Sequence, residues 1–421
     1  MERLILHSDL NNFYASAEAV RSPSLRRRPI AVTGDEEKRH GIVLAKSYEA
    51  RAMGVKTGEP LWQARAKCPE ILFVPPDFEY YAKLSADVRQ IYETFTDRVE
   101  SFGPDECWLD VTGSVKLICG EELPWEDAGR RIADCIRERV KRETGLTVSV
   151  GVSFNKTMAK LASGMRFPDA ATVIPRGEME TLVWHLPVRE LLFVGGKTEA
   201  RLRLYGIETV GQLAAADADF LRLILGKNGV SLKRCALGLE SEPVQRRDEL
   251  PEVKSVSCGV TLPRDIYSET DARPVLYSLS ENISARLRRL DMEASCVHLG
   301  IRAGDLSSIE RQCTLAAPSR TSETLFRSAA ELFRRYREPG GAVRALTVRA
   351  SRLGREDSPQ LPMFPESEPD IRREALESCM DMLRGRFGSD AVRRCVTLGG
   401  VGRESYGDSI RRHPESIYDK G

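Results

Sequence analysis

The feature that most constrains the fold is the spacing of the hydrophobic residues, which switches between the period of a strand and that of a helix. The same order of strands and helices occurs twice along the chain. In the first half, strand-like runs at 3–8, 107–111 and 147–153 are separated by helical spacing at 80–95 and about 125–143. Alternation at period two is typical of a half-buried strand, and spacing of three and four residues is typical of an amphipathic helix. The order predicts an α+β unit of the split β-α-β type, an antiparallel sheet with helices on one face.

A second unit of the same kind is predicted between residues 254 and 351. The order is strand, helix, two strands, helix, strand, and the strands fall at 254–261, 295–302, 309–315 and 343–351. Two stretches outside these units have a different character. Residues 21–77 are rich in Pro and Gly and predict a small irregular subdomain, whereas residues 170–235 predict short helices.

Composition predicts a globular protein without a membrane span. Of the 421 residues, 41% are hydrophobic and 30% are charged, and no run approaches the ~18 apolar residues that a span needs. The start of the chain lacks the apolar stretch of a signal peptide. The ten cysteines form no Cys-x-x-Cys pair, which argues against the common zinc sites and a disulfide framework. We therefore expect a cytoplasmic protein with reduced thiols and no membrane partner, and the net charge of +1 argues weakly against a purely electrostatic nucleic-acid coat.

Three acidic side chains are candidates for one site. Asp9 ends the first predicted strand, and Asp105 and Glu106 lie at the turn that enters another strand. These strands are neighbours in a split β-α-β sheet, so the three carboxylates can converge. Carboxylates without His or Cys favour hard cations, Mg²⁺ or Mn²⁺, and two such ions ~3.5–4 Å apart can activate a hydroxyl nucleophile and neutralise a leaving pyrophosphate. On spacing alone, the alternative is a helix cap at Asp9 and a solvated turn at 105–106.

Four sequence blocks in a fixed order favour the shared site. They are HSDLNNFYASAE at 7–18, GIVLAKSYEARAMGV at 41–55, DECWLDVT at 105–112 and SVGVSFNKTMAKLAS at 149–163. Together they resemble the Y-family DNA polymerases. The resemblance extends from about residue 3 to residue 364.

The resemblance implies an α+β fold with a right-hand polymerase architecture. The implied palm is a split β-α-β domain of the ferredoxin-like type, the fingers are small, the thumb is helical with a helix-hairpin-helix, and the little finger is a second split β-α-β domain. The implied palm comprises residues 1–10 and 78–166, and the implied fingers comprise residues 11–77. The implied thumb is 167–235, the little finger is 243–352, and the tail is 353–421. The tail has the Pro-rich, acidic composition of a linker with one amphipathic helix at about 370–388, and its last ~20 residues are predicted to be disordered.

The resemblance also implies the roles of the acidic residues. Asp9, Asp105 and Glu106 are the implied catalytic residues and the ligands of two Mg²⁺ ions, for which Mn²⁺ is a substitute. The Leu10 backbone carbonyl is a further implied ligand. Glu106 is the residue that the family treats as essential for catalysis.

The residues that the resemblance implies for nucleotide binding are Phe13, Tyr14, Ala45, Tyr48, Arg51 and Lys160. Tyr14 is the implied steric gate, an aromatic ring that accepts a deoxyribose and clashes with the 2′-hydroxyl of a ribose. Tyr48, Arg51 and Lys160 are implied to contact the incoming triphosphate, Arg through planar donors and Lys as a point charge. Outside these motifs, Tyr14 is ordinarily a core residue, and the two cations are ordinarily solvated.

The chain departs from the family pattern at several positions. Asn11 stands where many relatives have a second Asp, and Ala45 where they often have Ser or Thr. Gly103-Pro104 replaces a common Ser-Ile, and RFPDA at 166–170 replaces the usual Lys-Pro-x-Gly. No departure removes an implied metal ligand, so the effects are expected in nucleotide affinity and rate.

Two segments have features that suit DNA binding. Residues 191–213 resemble a helix-hairpin-helix, whose glycines let backbone N–H groups approach a phosphate, although an ordinary helix turn is an equal alternative on sequence alone. Residues 243–352 contain 18 basic and 14 acidic side chains, a net charge of +4. On their last strand, Arg349 is predicted to face outward, with His298 and Arg302 similarly placed on a neighbouring strand. Such a face suits contact with a phosphate backbone, and a solvated surface is the alternative.

A short apolar cluster, Gln360, Leu361, Pro362, Met363 and Phe364, follows in the linker. It resembles the peptide by which bacterial proteins bind the sliding clamp. An extended peptide can place its apolar side chains in a groove, with Gln360 as a polar anchor. Tethering would raise the effective concentration of the protein at a primer end.

The implied function is template-directed addition of dNTPs to a primer 3′-end, with low fidelity and lesion bypass in DNA repair. The implied partners are primer-template DNA, dNTP and the bacterial sliding clamp, and the protein is expected to be a monomer. One alternative is a catalytically impaired, clamp-tethered DNA-binding module, against which the three intact acids argue. A weaker alternative is a nucleotidyl cyclase, which shares the carboxylate-bearing sheet but has no need of the DNA-binding segments.

Overall fold

The structure, a computed structural model, describes residues 2–35, 41–249, 252–355, 368–388 and 390–397. The chain divides into two compact units. The first comprises residues 1–32 and 43–250, and the second comprises residues 33–42 and 251–421. The predicted disordered end of the chain lies outside the described residues.

Unit 1 contains two sheets. The strands are β1 Ile5–Leu10, β2 Ile30–Thr33, β3 Val43–Lys46, β4 Leu72–Val74, β5 Val99–Ser101, β6 Glu106–Asp110, β7 Val148–Ser153 and β8 Ala171–Val173. The larger sheet has the strand order β5-β6-β1-β7-β8, with β1 in the centre, and the smaller sheet has the order β3-β2-β4. Since β6 and β7 both run antiparallel to β1 and flank it, the helical connection between them completes the predicted split β-α-β arrangement.

The helices of unit 1 agree with the predicted order. They are α1 Phe13–Arg21, α2 Tyr48–Ala52, α3 Leu61–Lys67, α4 Phe78–Glu93, α5 Val115–Cys119, α6 Trp125–Thr144, α7 Lys156–Met165, α8 Met179–Val183, α9 Gly196–Arg203, α10 Val210–Ala215, α11 Ala218–Leu225 and α12 Lys227–Ala236. Short 3-10 turns lie at Pro23–Leu25, Arg176–Glu178, Val188–Glu190 and Arg247–Glu249. The long helices α4 and α6 are the two that helical spacing predicts at 80–95 and about 125–143.

Helices cover both faces of the larger sheet. On one face, α4 and α6 bury the apolar side of the sheet, including Leu4, Leu6 and Val152. On the other face α7 crosses Gly151, where a Cβ atom would lie 2.0 Å from the Ala159 carbonyl oxygen. Only glycine permits this approach of helix to strand. The predicted plan, with helices on one face, lacks α7, and it is α7 that brings further polar side chains to the end of β1.

The short helices α8 to α12 form a second core together with Met158 and Leu161 of α7, in which Val183, Leu213 and Leu221 are fully buried. Helices α9 and α10 are joined by a turn in which Gly206 has a φ of 73°. Thr209 caps α10, because its hydroxyl accepts the Gln212 N–H while the Gln212 side chain accepts the Thr209 N–H. This helix-turn-helix pair occupies the segment that resembles a helix-hairpin-helix.

Unit 2 contains a four-stranded antiparallel sheet. Its elements are β9 Ser255–Ile266, α13 Glu269–Arg289, β10 Glu293–Ala303, β11 Ser308–Ser319, α14 Ser322–Tyr336 and β12 Val343–Gly354. The strand order is β11-β10-β12-β9. Each helix connects two parallel strands that flank a third, so this unit is also of the split β-α-β type. Both helices pack on the apolar face of the sheet, where Leu299, Leu346 and Val348 are buried.

A last helix, α15 Glu368–Phe387, lies within the predicted tail, and a 3-10 turn follows at Cys395–Thr397. The composition predicts this helix but not its docking. Glu377 on α15 is buried and accepts from Arg288 of α13 at 2.6 Å, and the backbone N–H of Ser322 at the start of α14 donates to it at 3.1 Å. This part of the tail therefore belongs to the packed body of unit 2.

Two further observations bear on the predicted environment. None of the helices in the described parts of the chain is long and apolar enough to cross a membrane. All ten cysteines are free, in agreement with the absence of Cys-x-x-Cys pairs in the sequence.

Candidate active site

The register of the central strands brings the three acidic residues together. Asp9 on β1 lies directly opposite Glu106 on β6, and the Leu10 N–H donates to the Asp105 carbonyl at 2.9 Å. Asn12, not Asp9, precedes the first turn of α1. The helix-cap alternative for Asp9 is therefore wrong, and the strand register places the three acidic residues at one end of β1 and β6.

Burial and mutual repulsion shift the pKa values of the two aspartates. Burial raises the pKa of Asp9 to about 7, and the charges of Glu106 and Asp105 raise it in the same direction. Burial also raises the pKa of Asp105 to about 6, with Glu106 as the next cause. Carboxylates in such an arrangement are costly unless a cation compensates them.

Glu106 differs because it already has a cation beside it. Its carboxylate accepts a hydrogen bond from Lys160 of α7, and the His7 ring nitrogen Nε2 lies 3.6 Å away. Burial alone would raise the pKa of Glu106, but His7 and Lys160 outweigh burial and lower it to about 2. The close packing of α7 at Gly151 therefore places a compensating charge at the acidic site.

His7 is a neighbour of the site that the sequence reasoning missed. It is fully buried, and its Nδ1 lies 2.8 Å from the Ser163 hydroxyl. Its Nε2 has no hydrogen-bond partner among the described residues, and burial lowers the pKa of His7 to about 4. A signal was present in the sequence, since residues two apart on a strand share a face and His7 stands two residues before Asp9.

The donor set fits a hard divalent cation, because it consists of carboxylate oxygens at one sheet end whose repulsion a cation would relieve. The three carboxylates are not arranged as a preformed metal site. Among the described residues no group of three or more His, Cys, Asp or Glu side chains is placed to hold a metal ion. Glu106 is directed to Lys160 instead, so metal binding requires this carboxylate to exchange its partner.

We expect Asp9→Asn to become more stable relative to the wild type as the pH rises from about 4 to about 7 in metal-free buffer. Folded Asp9 has a pKa of about 7 against 3.8 for the ordinary side chain. The folded wild type thus binds more protons than the unfolded chain in this window, and its stability falls as the pH rises. The difference should grow by at most about 1.4 kcal/mol per pH unit. Thermal unfolding with a chelator, measured from pH 4 to pH 8, tests this.

The comparison at each pH cancels the opposite contribution of His7. Its pKa is lowered, so its effect on stability rises with pH between about 4 and 6.5, and both proteins retain it. Asp127→Asn, at an exposed position on α6, is the control and should not reproduce the pH-dependent gain. A constant difference between Asp9→Asn and the wild type would contradict the prediction.

The predicted gate residue lies in an aromatic cluster formed by α1 and α4. The Tyr14 ring stacks on the Tyr81 ring with centroids 4.4 Å apart and an interplanar angle of 15°. Burial raises the pKa of Tyr14, and the charge of Asp105 raises it further. The Tyr81 hydroxyl donates to buried Glu18 at 2.7 Å. Phe13 is buried, with its ring 5.3 Å from that of Tyr14.

The other predicted nucleotide-binding residues fall into two groups. Tyr48 and Arg51 lie on α2, and the Tyr48 hydroxyl is 3.4 Å from that of Thr147. Ala45, on the preceding strand β3, is partly buried against the core. Lys160 is held at Glu106, as described above, whereas Tyr48 and Arg51 share a different neighbour, Phe167. Phe167 lies in the segment 166–170 that departs from the family pattern, and its contact with Arg51 is not evident from the sequence.

The outward face of the unit 2 sheet has the predicted arrangement. His298 and Arg349 are direct partners on β10 and β12, and the His298 Nδ1 lies 3.1 Å from the Arg349 guanidinium. Arg302 is exposed on β10. Arg349 also pairs with Glu310 of β11, so part of the positive charge is compensated within the face.

Sequence comparison connects this fold and site to a known class of enzyme. Residues 8–164 match the impB/mucB/samB family, and residues 253–363 match the C-terminal domain of the same family. The chain therefore belongs to this family, the Y-family DNA polymerases.

Within the family, the chain is similar to proteins named DNA polymerase IV. It is 44% identical over 400 residues to the DNA polymerase IV of Acetivibrio thermocellus, covering 94% of this chain and 98% of that protein. It is 35% identical over 412 residues to DNA polymerase IV 1 of Bacillus subtilis, with 97% of each chain covered. A solved Y-family DNA polymerase chimera shares the fold, with a TM-score of 0.73, 23% identity, and coverage of 84% of this chain and 99% of that one.

Proposed function

We propose that the protein extends a primer 3′-end on a DNA template by phosphoryl transfer that depends on two metal ions, and that it does so in low-fidelity synthesis past lesions. Membership of the Y-family DNA polymerases implies template-directed DNA synthesis and dependence on a divalent metal. The observation that carries the mechanism is the pairing of Asp9 with Glu106 beside Asp105. Primer extension with Mg²⁺ tests the proposal.

Asp9, Asp105, Glu106 and the Leu10 carbonyl would hold the two Mg²⁺ ions, with Mn²⁺ as a substitute. Such ions lower the pKa of a nucleophilic hydroxyl and neutralise a leaving pyrophosphate. The protein contributes charge and position. Because burial and mutual repulsion disfavour their charged forms, Asp9 and Asp105 are strong candidate ligands of a cation. Lys160 holds Glu106 at the same end of the sheet.

Substrate selection is assigned to α1 and α2. Phe13 supports the Tyr14 ring, which would contact the sugar and exclude a 2′-hydroxyl. Tyr48 and Arg51 would contact the triphosphate, and Ala45 lies on the strand before them, without the hydroxyl that relatives often carry. Lys160 would leave Glu106 in order to contact the triphosphate, because one ammonium group cannot fully compensate two separated anions.

The protein would hold DNA through contacts with the sugar-phosphate backbone of the DNA rather than with its bases. The helix pair α9 and α10, with its glycine turn, suits a phosphate. The outward face of the unit 2 sheet, with Arg302 and Arg349, suits a second stretch of backbone. We assign palm, fingers, thumb and little finger within the boundaries given by the sequence, and we propose that the protein acts as a cytoplasmic monomer.

The clamp-binding peptide, Gln360, Leu361, Met363 and Phe364, lies outside the described residues. We expect deletion of 360–364 to abolish the stimulation of primer extension by the bacterial sliding clamp and to spare basal extension. The reason is that the deletion lowers the effective concentration at the primer end without touching the active site. Extension with and without clamp, for both proteins, measures this. Loss of basal extension would show that the segment supports the fold.

The alternative, a DNA-binding module without polymerase activity, shares every feature except a working acidic site. It predicts DNA binding and clamp binding but no extension by the wild type. Since the three acids are present and adjacent, we favour the polymerase.

A further inference from the structure

The loop after α7 places an aromatic ring against both proposed triphosphate ligands on α2. The Arg51 guanidinium carbon lies 4.4 Å from the centroid of the Phe167 ring. The Tyr48 ring lies 5.9 Å from it, at an angle of 49°. Phe167 occupies the segment where the sequence departs from the family, which usually has Lys-Pro-x-Gly there.

This loop is fixed from two sides. The Asp169 N–H donates to the Asn11 side-chain oxygen at 2.9 Å, and Asn11 is itself buried and bonded to Ser149. The Asp169 carboxylate pairs with Arg137 and Lys141 of α6, each at 2.9 Å. Asn11, another departure from the family, therefore helps to hold the segment that carries Phe167.

Stacking leaves the donors of Arg51 available. A phenyl ring has no hydrogen-bond acceptor atom, so contact with Phe167 does not use the five N–H donors of the guanidinium. In the part of the chain that the structure describes, no carboxylate pairs with Arg51. A lysine in place of Phe167 would repel Arg51, while a ring attracts it and limits its rotamers.

We propose that Phe167 is a positioning residue, which holds the Arg51 guanidinium by stacking in the orientation that receives a nucleoside triphosphate. The inference rests on the proposed function, because it takes the triphosphate as the ligand of Arg51. It goes beyond that function in giving Phe167 a role in nucleotide binding. The Phe167 ring also contacts Tyr48, so it would position both side chains of α2.

The test combines steady-state kinetics with a double-mutant cycle. Phe167→Ala should raise the KM for dNTP about 2- to 5-fold with kcat unchanged, as expected for loss of an exposed cation–π contact that acts on ground-state binding. Phe167→Tyr keeps the ring and should keep the wild-type KM. In an Arg51→Ala background, Phe167→Ala should have no further effect. An equal rise in KM in both backgrounds, or a fall in kcat alone, would overturn the proposal.

A binding measurement separates this inference from the proposed function. Titration calorimetry of the metal-free protein with inorganic triphosphate should show binding weakened about 2- to 5-fold by Phe167→Ala, and no further weakening beyond Arg51→Ala. If the wild type fails to extend primers, the proposed function is wrong, and this titration still decides the role of Phe167. Phe387→Ala, at an exposed position on α15, is the matched control and should bind as the wild type does. Unchanged triphosphate binding by Phe167→Ala would refute the role.

Discussion

Glu106→Gln should reduce primer extension by about 1000-fold, because it removes one of the negative charges that would bind the metal ions and stabilise the reacting phosphate, and such terms are worth several kcal/mol. The substitution keeps the size of the side chain and its place opposite Asp9. The measurement is single-turnover extension of a labelled primer at saturating dNTP. Binding of primer-template DNA should be preserved, since the proposed DNA contacts lie elsewhere.

Two controls isolate the charge of Glu106. Glu121→Gln removes an exposed carboxylate that pairs with Arg131, and it should extend primers at the wild-type rate. Thermal unfolding of Glu106→Gln shows whether Lys160, which loses its ion-pair partner, destabilises the fold. Undiminished extension by a folded Glu106→Gln would refute the catalytic assignment and favour a different acidic site.

Tyr14→Ala should lower the discrimination against ribonucleotides by about 100-fold, which is the scale on which a shaped pocket separates substrates that differ by one small group. The ring is held firmly, since it stacks on Tyr81, whose hydroxyl is bonded to Glu18. A rigid ring excludes a 2′-hydroxyl better than a mobile one does. The ratio of kcat/KM for dATP to that for ATP, on the same primer, measures the effect.

Matched variants separate the ring from its hydroxyl. Tyr14→Phe keeps the ring and should keep the discrimination, whereas Tyr267→Ala, at an exposed position in unit 2, should leave it unchanged. If Tyr14→Ala discriminates as strongly as the wild type, the gate lies at another residue. If Tyr14→Phe loses discrimination as Tyr14→Ala does, the hydroxyl rather than the ring is responsible.

The hydrophobic pattern was sufficient to predict most elements of both units. Helices α4 and α6 and the strands of unit 2 fall where their periods place them, because each buries one face against a core and must therefore repeat at its own period. The acids at 9, 105 and 106 could also be predicted to converge, since a split β-α-β order makes their strands neighbours. The resemblance of the four sequence blocks to the family then implied that these acids bind metal ions. The comparisons confirmed the family.

The contacts across the site depended on tertiary structure. Lys160 reaches Glu106 because α7 packs directly on Gly151, and nothing in the local sequence indicates how closely a helix approaches a strand. Phe167 reaches Arg51 through a loop fixed by Asn11. These pairs are far apart in sequence, and periodicity reports the face that a residue takes but not the partner that it meets.

The sequence by itself therefore determined which segments are strands and helices, which side chains are acidic at the ends of strands, and to which family the chain belongs. Tertiary structure alone decided that Glu106 has a lysine partner, that Tyr14 stacks on Tyr81, and that α15 docks on unit 2 through buried Glu377. The physical reason is that periodicity is a local property of burial. Charge compensation, stacking and docking arise only when distant segments come within contact distance in the folded chain.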